Sequence, residues 1–349
     1  MIFILLSALF ILSSCHETRE KRQVHIDLKW PNKTMYYHFD DEYPAAKRIL
    51  LRQNMDLISS QTCFLFEEKD VESALEVVFG INQGCSSHVG YGTGSGGRLT
   101  LSDHCDISMT HELLHSSGIS HMQVRTDRDK YVVYTGNEVR NNGIDQSTSI
   151  VTPFEYGSVL EYPTTEEMYP TDPEFNYTMG NRKLTFYDVT MINRLYNCTC
   201  ENNLACENDG YTNPSNCEEC ICPVGFFGKL CNELKNEPIE STTEWQTLKR
   251  SVTNETIYEY IKPMGNSTLQ IRYDSSVPVE QSTGCNYGNL EVKYLPDRRM
   301  TNPLYCSRNQ DFLGKIRNST NDPTIVVFRS NDPKVSLEFE VSYRSVQNQ

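Results

Sequence analysis

Eleven consecutive residues carry side chains that could do chemistry together: His111-Glu112-Leu113-Leu114-His115-Ser116-Ser117-Gly118-Ile119-Ser120-His121. On a helix over 107–117, His111 and His115 stand one turn apart on the same face, so both imidazoles can reach one metal ion. Gly118 tolerates a positive φ, so the helix can stop there and the chain can turn back to offer His121 as a third ligand. Three imidazoles leave a metal with an open position. Glu112, beside the first ligand, is placed to take a proton from an attacking water rather than to bind the ion. An amphipathic helix with three merely satisfied histidines would explain neither the fixed glycine nor the third histidine.

Other elements must hold this helix in place. Residues 44–61 carry apolar side chains at Ile49, Leu50, Met55, Leu57 and Ile58, near a helical period, with Pro44 suited to a first turn. That predicts a long helix packed on a sheet, whose strands are read at Phe64–Phe66 and Leu75–Ile81. The glycine-rich run Gly90–Gly97 resembles a phosphate-binding loop only in composition, since no strand–helix context follows it. A mobile surface loop closed by a Cys85–Cys105 disulfide fits it better. Asp106 or Ser108 can cap the metal helix. The alternating charges Arg125 to Lys130 read as a salt-linked surface turn without a chemical role.

The chain has 349 residues, enough for two or three domains, and its 38% hydrophobic and 22% charged content is that of a globular protein. A net charge of −14 without a basic stripe argues against nucleic acid as a partner. Residues 1–12 are almost wholly apolar and lead into Ser13-Ser14-Cys15, which predicts a secretory signal peptide over 1–15. The same ending could also be read as a lipoprotein acylation site. The first twelve residues are too short to span a membrane, and no other apolar run is long enough, so a secreted, extracellular product with no membrane contact after signal removal is expected. Arg19-Glu20-Lys21-Arg22 is a dibasic run suited to proprotein cleavage, giving a propeptide over 16–22 and a mature start at Gln23. A solvated charge cluster is the alternative. Thirteen cysteines become twelve without Cys15, an even number consistent with disulfides in an oxidising compartment. Sequons at Asn32, Asn176, Asn197, Asn254, Asn266 and Asn318 fit the same route.

Between Cys200 and Cys231 lie six cysteines whose final run, Cys220-Ile221-Cys222-Pro223-Val224-Gly225-Phe226-Phe227-Gly228-Lys229-Leu230-Cys231, resembles an EGF-like module. A zinc ribbon is the competing reading. The polar segment Asn232–Thr243 reads as a linker. Short β-rich runs at 269–273, 290–295, 325–328 and 335–343, bounded by Gly, Pro and Asn, then predict a β-sandwich.

The pattern HExxHxxGxxH matches the metzincin form of the zinc-peptidase signature. Together with Ser158-Val159-Leu160-Glu161-Tyr162, Leu184 to Asp188 and Ile192 to Cys198, it resembles the astacin family of metallopeptidases. Cys285-Asn286-Tyr287-Gly288-Asn289-Leu290-Glu291-Val292, Cys306 and the closing 328–343 are similar to a CUB domain that has one of the two usual disulfides. The resemblance implies an α+β metzincin catalytic domain over 23–198 with its active-site cleft between two subdomains, a small disulfide-rich EGF-like module over 199–232, and a linker with an all-β CUB-type sandwich over 233–349. It implies one Zn2+ on His111, His115 and His121, Glu112 as general base, and Tyr162 as a mobile ligand that stabilises the oxyanion. It also implies the pairs Cys63–Cys198, Cys200–Cys217, Cys206–Cys220, Cys222–Cys231 and Cys285–Cys306, beside Cys85–Cys105. No calcium site is expected in the sandwich. Arg182 matches a family arginine at the cleft that could favour an acidic residue after the scissile bond, although a surface ion pair explains it equally well.

Three positions depart from the family pattern: Met122 stands for glutamate, Leu160 for methionine and Glu161 for histidine. The Leu160 exchange nearly conserves volume and should cost below about 1.5 kcal/mol. Met122 is consistent with a Gln23 start that cyclises to uncharged pyroglutamate, because a buried carboxylate there would then lack an ammonium partner. The leading expectation is a zymogen-derived secreted endopeptidase acting on extracellular proteins or peptides, with a matrix or protein partner at the CUB domain. The alternative is a weak or inactive relative that binds through its EGF and CUB modules.

Overall fold

The computed structural model describes residues 24–69, 74–79, 84–92, 97–137, 142–276, 283–306 and 313–347. The signal and propeptide segments, Gln23, residues 80–81 of the second expected strand and the centre of the glycine-rich loop lie outside the described residues.

A five-stranded sheet forms the first layer. Its strands are β1 (Thr34–Phe39), β2 (Leu65–Glu68), β3 (Leu75–Phe79), β4 (Cys85–Ser87) and β5 (Arg98–Leu101), in the order β2-β1-β3-β5-β4. All neighbours are parallel except β4, which runs antiparallel to β5. Helix α1 (Ala45–Ser59) buries Leu51, Met55 and Ile58, spaced four and three apart on one face. Ile49 and Leu57, expected in the same stripe, are 58% and 46% exposed, because at 100° per residue they rotate off that face.

Helix α2 (Met109–Ser116) continues from a 3-10 turn over Asp103–Ser108 and is buried along its whole length. Ser108 makes no side-chain cap; the preceding turn feeds the helix directly, so the expected capping by Asp106 or Ser108 is not what starts it. Disulfide Cys85–Cys105 fastens β4 to that turn. Between α2 and Cys198 there is little regular structure: a short ladder of β6 (Val132–Tyr134) with β7 (Met168–Pro170), and helix α3 (Phe186–Leu195). Thr185 and Asp188 form a capping box that starts α3, and Cys63–Cys198 ties its far end to the end of α1. One continuous core joins both halves, running from Trp30 and Met35 through Leu113 and Leu114 to Val159, Leu160 and Ile192.

Arg125 and Arg128 are 1% and 2% exposed, which corrects the surface-turn expectation. Their guanidiniums pair with Asp127 and Asp129 and donate to the carbonyls of Thr152, Pro153, Gln123 and Asn142, and these bonds offset the cost of burial.

Three disulfides, Cys200–Cys217, Cys206–Cys220 and Cys222–Cys231, staple the small module that follows, whose regular structure is β8 (Tyr211–Thr212) paired with β9 (Cys220–Ile221). The last unit is a β-sandwich. One sheet orders β10 (Ile239–Glu240), β12 (Thr256–Lys262), β17 (Thr324–Ser330), β14 (Gly288–Val292) and β15 (Leu304–Tyr305) as β10-β12-β17-β14-β15. The other orders β11 (Gln246–Val252), β13 (Ser267–Ser276), β16 (Ile316–Ser319) and β18 (Leu337–Gln347) as β11-β18-β13-β16. Leu248, Ile271 and Val341 from one sheet meet Leu290, Val326 and Phe328 from the other. Cys285–Cys306 bridges the segments flanking β14 and β15. The polar segment expected as a linker is not free: β10 lies within it and pairs parallel with β12, Ile239 opposite Ile261.

The modules are packed on one another. Phe186 and Val189 of α3 meet Ile221 of the small module, and Phe226 of that module meets Tyr260, Ile325 and Val327 of the sandwich.

Candidate active site

Helix α2 presents His111 and His115, and Gly118 at φ +98° turns the chain so that His121 returns toward them. The three Nε2 atoms converge: 3.0 Å between His111 and His115, 2.9 Å between His115 and His121, and 3.2 Å between His111 and His121. The Nδ1 atoms of the two helix histidines point outward. His111 Nδ1 is 2.7 Å from the Val159 carbonyl and His115 Nδ1 is 2.7 Å from the Ile119 carbonyl. A carbonyl only accepts, so both Nδ1 atoms carry the proton and both Nε2 atoms present lone pairs. Lone pairs facing one another at these distances have no proton to share, and a cation between them removes the repulsion. This is the donor set zinc prefers. Burial, followed by mutual repulsion for His111 and His121, lowers the pKa of the rings, so they stay neutral and able to bind a metal at neutral pH.

Glu112 is buried beside this tripod. Burial raises its carboxyl to about 7, opposed by the positive charge of Arg182. Arg182 is in turn lowered by burial and favoured by Glu112 and Tyr162, so the three groups share one electrostatic environment. The ring of Tyr162 packs edge-on to His121 at 4.4 Å between centroids and lies 6.3 Å from the ring of His111. The Ser158–Tyr162 turn is fixed by Asp188, which accepts the Ser158 hydroxyl at 2.5 Å and the Val159 amide at 3.1 Å. Leu160 is fully buried, and its carbonyl accepts the amide of the equally buried Met122 at 3.1 Å.

The cleft holding these groups has a volume of about 900 Å³. It also takes in His25, Asp145 and Ser147, which no sequence pattern singled out. His25 Nε2 lies 2.7 Å from the Ser120 hydroxyl and 3.4 Å from Asp145, and its pKa is lowered by burial against the pull of Asp145 and Asp27. Only folding places residue 25 there: Val24 is held between Ile119 and Ser149 by backbone pairing. Cys85, His104 and Cys105 also cluster, but the two cysteines are joined as a disulfide and offer no thiolate.

Residues 22–197 match the family model described as Astacin, a peptidase family. The chain belongs to the astacin family. It is 36% identical over 355 residues to zinc metalloproteinase nas-20 of Caenorhabditis elegans, covering 95% of this chain and 92% of that protein. It is 35% identical over 353 residues to zinc metalloproteinase nas-17 of the same organism, covering 93% and 81%. Among solved structures it is similar to high choriolytic enzyme 1, a hatching enzyme zinc-protease of the medaka Oryzias latipes, at 26% identity and a TM-score of 0.41, over 49% of this chain and 94% of that one. As a member of the astacin family, the chain is a zinc metalloendopeptidase, and its three-histidine group suits that metal. Among the described residues no helix is long and apolar enough to cross a membrane.

Proposed function

We propose that the protein is a secreted endopeptidase that cleaves extracellular proteins or peptides, with zinc on His111, His115 and His121, and with Glu112 and Tyr162 as the catalytic side chains. The observation that carries this reading is the convergence of three imidazoles beside a buried carboxyl in an open cleft. Zinc, when bound, supplies Lewis-acid chemistry, acidifying water and polarising a carbonyl. Glu112 accepts the proton of the attacking water and returns it to the leaving amine; burial raises its carboxyl, and the charge of Arg182 and of a bound zinc would act to lower it. The Tyr162 hydroxyl donates to the oxyanion as the carbonyl carbon becomes tetrahedral. Arg182 holds positive charge on the same side and would favour an acidic residue after the scissile bond.

The domain reading that goes with this function places a catalytic domain over 23–198, an EGF-like module over 199–232, and a CUB-type sandwich over 233–349 that could also engage a matrix or protein partner. Five sequons, Asn32, Asn197, Asn254, Asn266 and Asn318, are exposed and open to glycosylation, whereas Asn176 is half-buried.

The deciding experiment expresses the full chain through a secretory pathway and measures zinc content and hydrolysis of a broad peptide library, with Glu112→Ala as control. Hydrolysis by the wild type and a loss of roughly 10²-fold or more in the control, with zinc retained, support the reading. A zinc-loaded wild type no faster than the control would establish instead a binding protein working through its C-terminal modules.

A further inference from the structure

Glu155 leads into the turn that carries Tyr162. Its side chain is 1% exposed, and its two oxygens are shared between domains. Oε1 accepts the amide of Gly157 at 2.9 Å, within its own turn, while Oε2 accepts the amide of Thr301 at 3.0 Å, from the loop joining β14 to β15 of the sandwich. The loops are closely packed there: a Cβ added to Gly157 would come within 2.6 Å of the Thr301 side chain. The sandwich holds its side of the contact firmly. Next to Thr301, the amide of Asn302 donates to Glu291 at 3.0 Å, and this buried carboxylate also takes Lys293 at 3.3 Å and Arg329 at 2.8 Å.

A second contact reaches the segment that carries Arg182. Asn286, just after Cys285 in the sandwich, accepts the backbone amide of Arg182 at 3.0 Å and donates to the carbonyl of Gly180 at 3.2 Å. Arg182 is the residue whose charge acts on Glu112 and Tyr162. The two segments that bring Tyr162 and Arg182 toward Glu112 are therefore both fixed to one module by hydrogen bonds between a side chain and a backbone group, and among the described residues that module contributes no side chain to the cleft.

We propose that the β-sandwich is a positioning element of the catalytic centre, in which Glu155 and Asn286 transmit its placement to Tyr162 and Arg182. The inference rests on the peptidase reading and extends it: the sandwich sets turnover from behind the site, whatever else it binds. Placement errors near 1 Å are enough to cost large factors in rate, so losing either contact should lower kcat without removing the metal or the substrate-binding surface.

The test uses the full chain. Wild type, Asn286→Ala and Glu155→Gln are compared for zinc content, cooperative thermal unfolding and steady-state hydrolysis of a cleaved peptide. The expected result is a kcat reduced roughly tenfold or more in both variants, with zinc retained and, on a peptide without an acidic residue after the scissile bond, KM within about twofold of wild type. Glu155 is fully buried and its variant could misfold; Asn286 is only partly buried, so its variant then decides. An unchanged kcat in folded Asn286→Ala overturns the proposal. So does a loss of activity that tracks a loss of zinc or of the unfolding transition, since the contacts would then be structural only. An inactive wild type would instead overturn the peptidase reading beneath it.

Discussion

The Nδ1–H of His111 donates to the carbonyl of Val159 at 2.7 Å, and the amide of the same Val159 donates to Asp188 at 3.1 Å. One residue therefore links the first histidine of the tripod to the turn that carries Tyr162 and to the cap of helix α3. Asp188 is buried and also accepts from the Thr185 amide at 2.9 Å, so its orientation is set by the start of the helix. The geometry of the tripod is decided well outside α2.

Asp188→Asn would turn one acceptor oxygen into a donor facing donors. Partners of metal-binding histidines typically contribute 10- to 100-fold in metal affinity, and Asp188 acts one step further out. The expected outcome is a zinc affinity reduced by about tenfold in chelator competition, together with a lower thermal midpoint. An unchanged affinity would mean that the Val159 carbonyl holds His111 without help from Asp188.

Tyr162→Phe keeps the ring against His121 and removes only the hydroxyl. A single oxyanion donor is typically worth about 10²–10³ in kcat. Steady-state kinetics should show a loss of that order in kcat with KM little changed and zinc retained. A loss confined to KM would place Tyr162 in substrate binding rather than in the transition state.

Glu161 is fully buried, and neither carboxylate oxygen has a hydrogen-bond partner among the described residues. Burial raises its pKa well above the ordinary carboxylate value, only partly opposed by Arg125 and Arg128. A folded-state pKa above the unfolded one contributes stability that is fully present below the unfolded value and is lost as pH rises toward the folded value. Glu161→Gln does not ionise, so its thermal midpoint should gain on wild type as pH rises across the range above the ordinary carboxylate value. Parallel midpoints across that range would show that Glu161 folds with its charge satisfied.

Cys63–Cys198 closes a separation of 135 residues and joins the ends of α1 and α3 across the catalytic core. Replacing both cysteines by alanine should cost about 3–5 kcal/mol by the chain-entropy estimate. Denaturant unfolding under oxidising conditions measures it. A loss near zero would show that the core between α1 and α3 already restricts the unfolded chain.

The site was legible in the sequence where its chemistry is local. His111, Glu112, His115 and Gly118 lie on one helix and its stop, so spacing alone places two imidazoles together and marks the turn that returns His121. The sandwich was legible from strands such as 325–328, whose apolar run is buried on both faces. Strand β11, reading Gln-Thr-Leu-Lys-Arg-Ser-Val, was not, because its inward positions are few and its outward ones are charged. Arg125 and Arg128 misled for a related reason: charge implies solvent unless carbonyls are available to receive it, and the carbonyls of Thr152 and Asn142 come from distant chain.

What the sequence by itself determined is the donor set and its order along the helix, since the 3.6-residue repeat turns a spacing of four into a shared face. Tertiary structure alone decided what points those donors inward and what surrounds them. Val159, Asp188 and His25 come to the site from segments far from α2 in the chain, and Thr301 and Asn286 come from another domain. Contacts of that kind depend on loop closure and packing, which leave no period in the sequence.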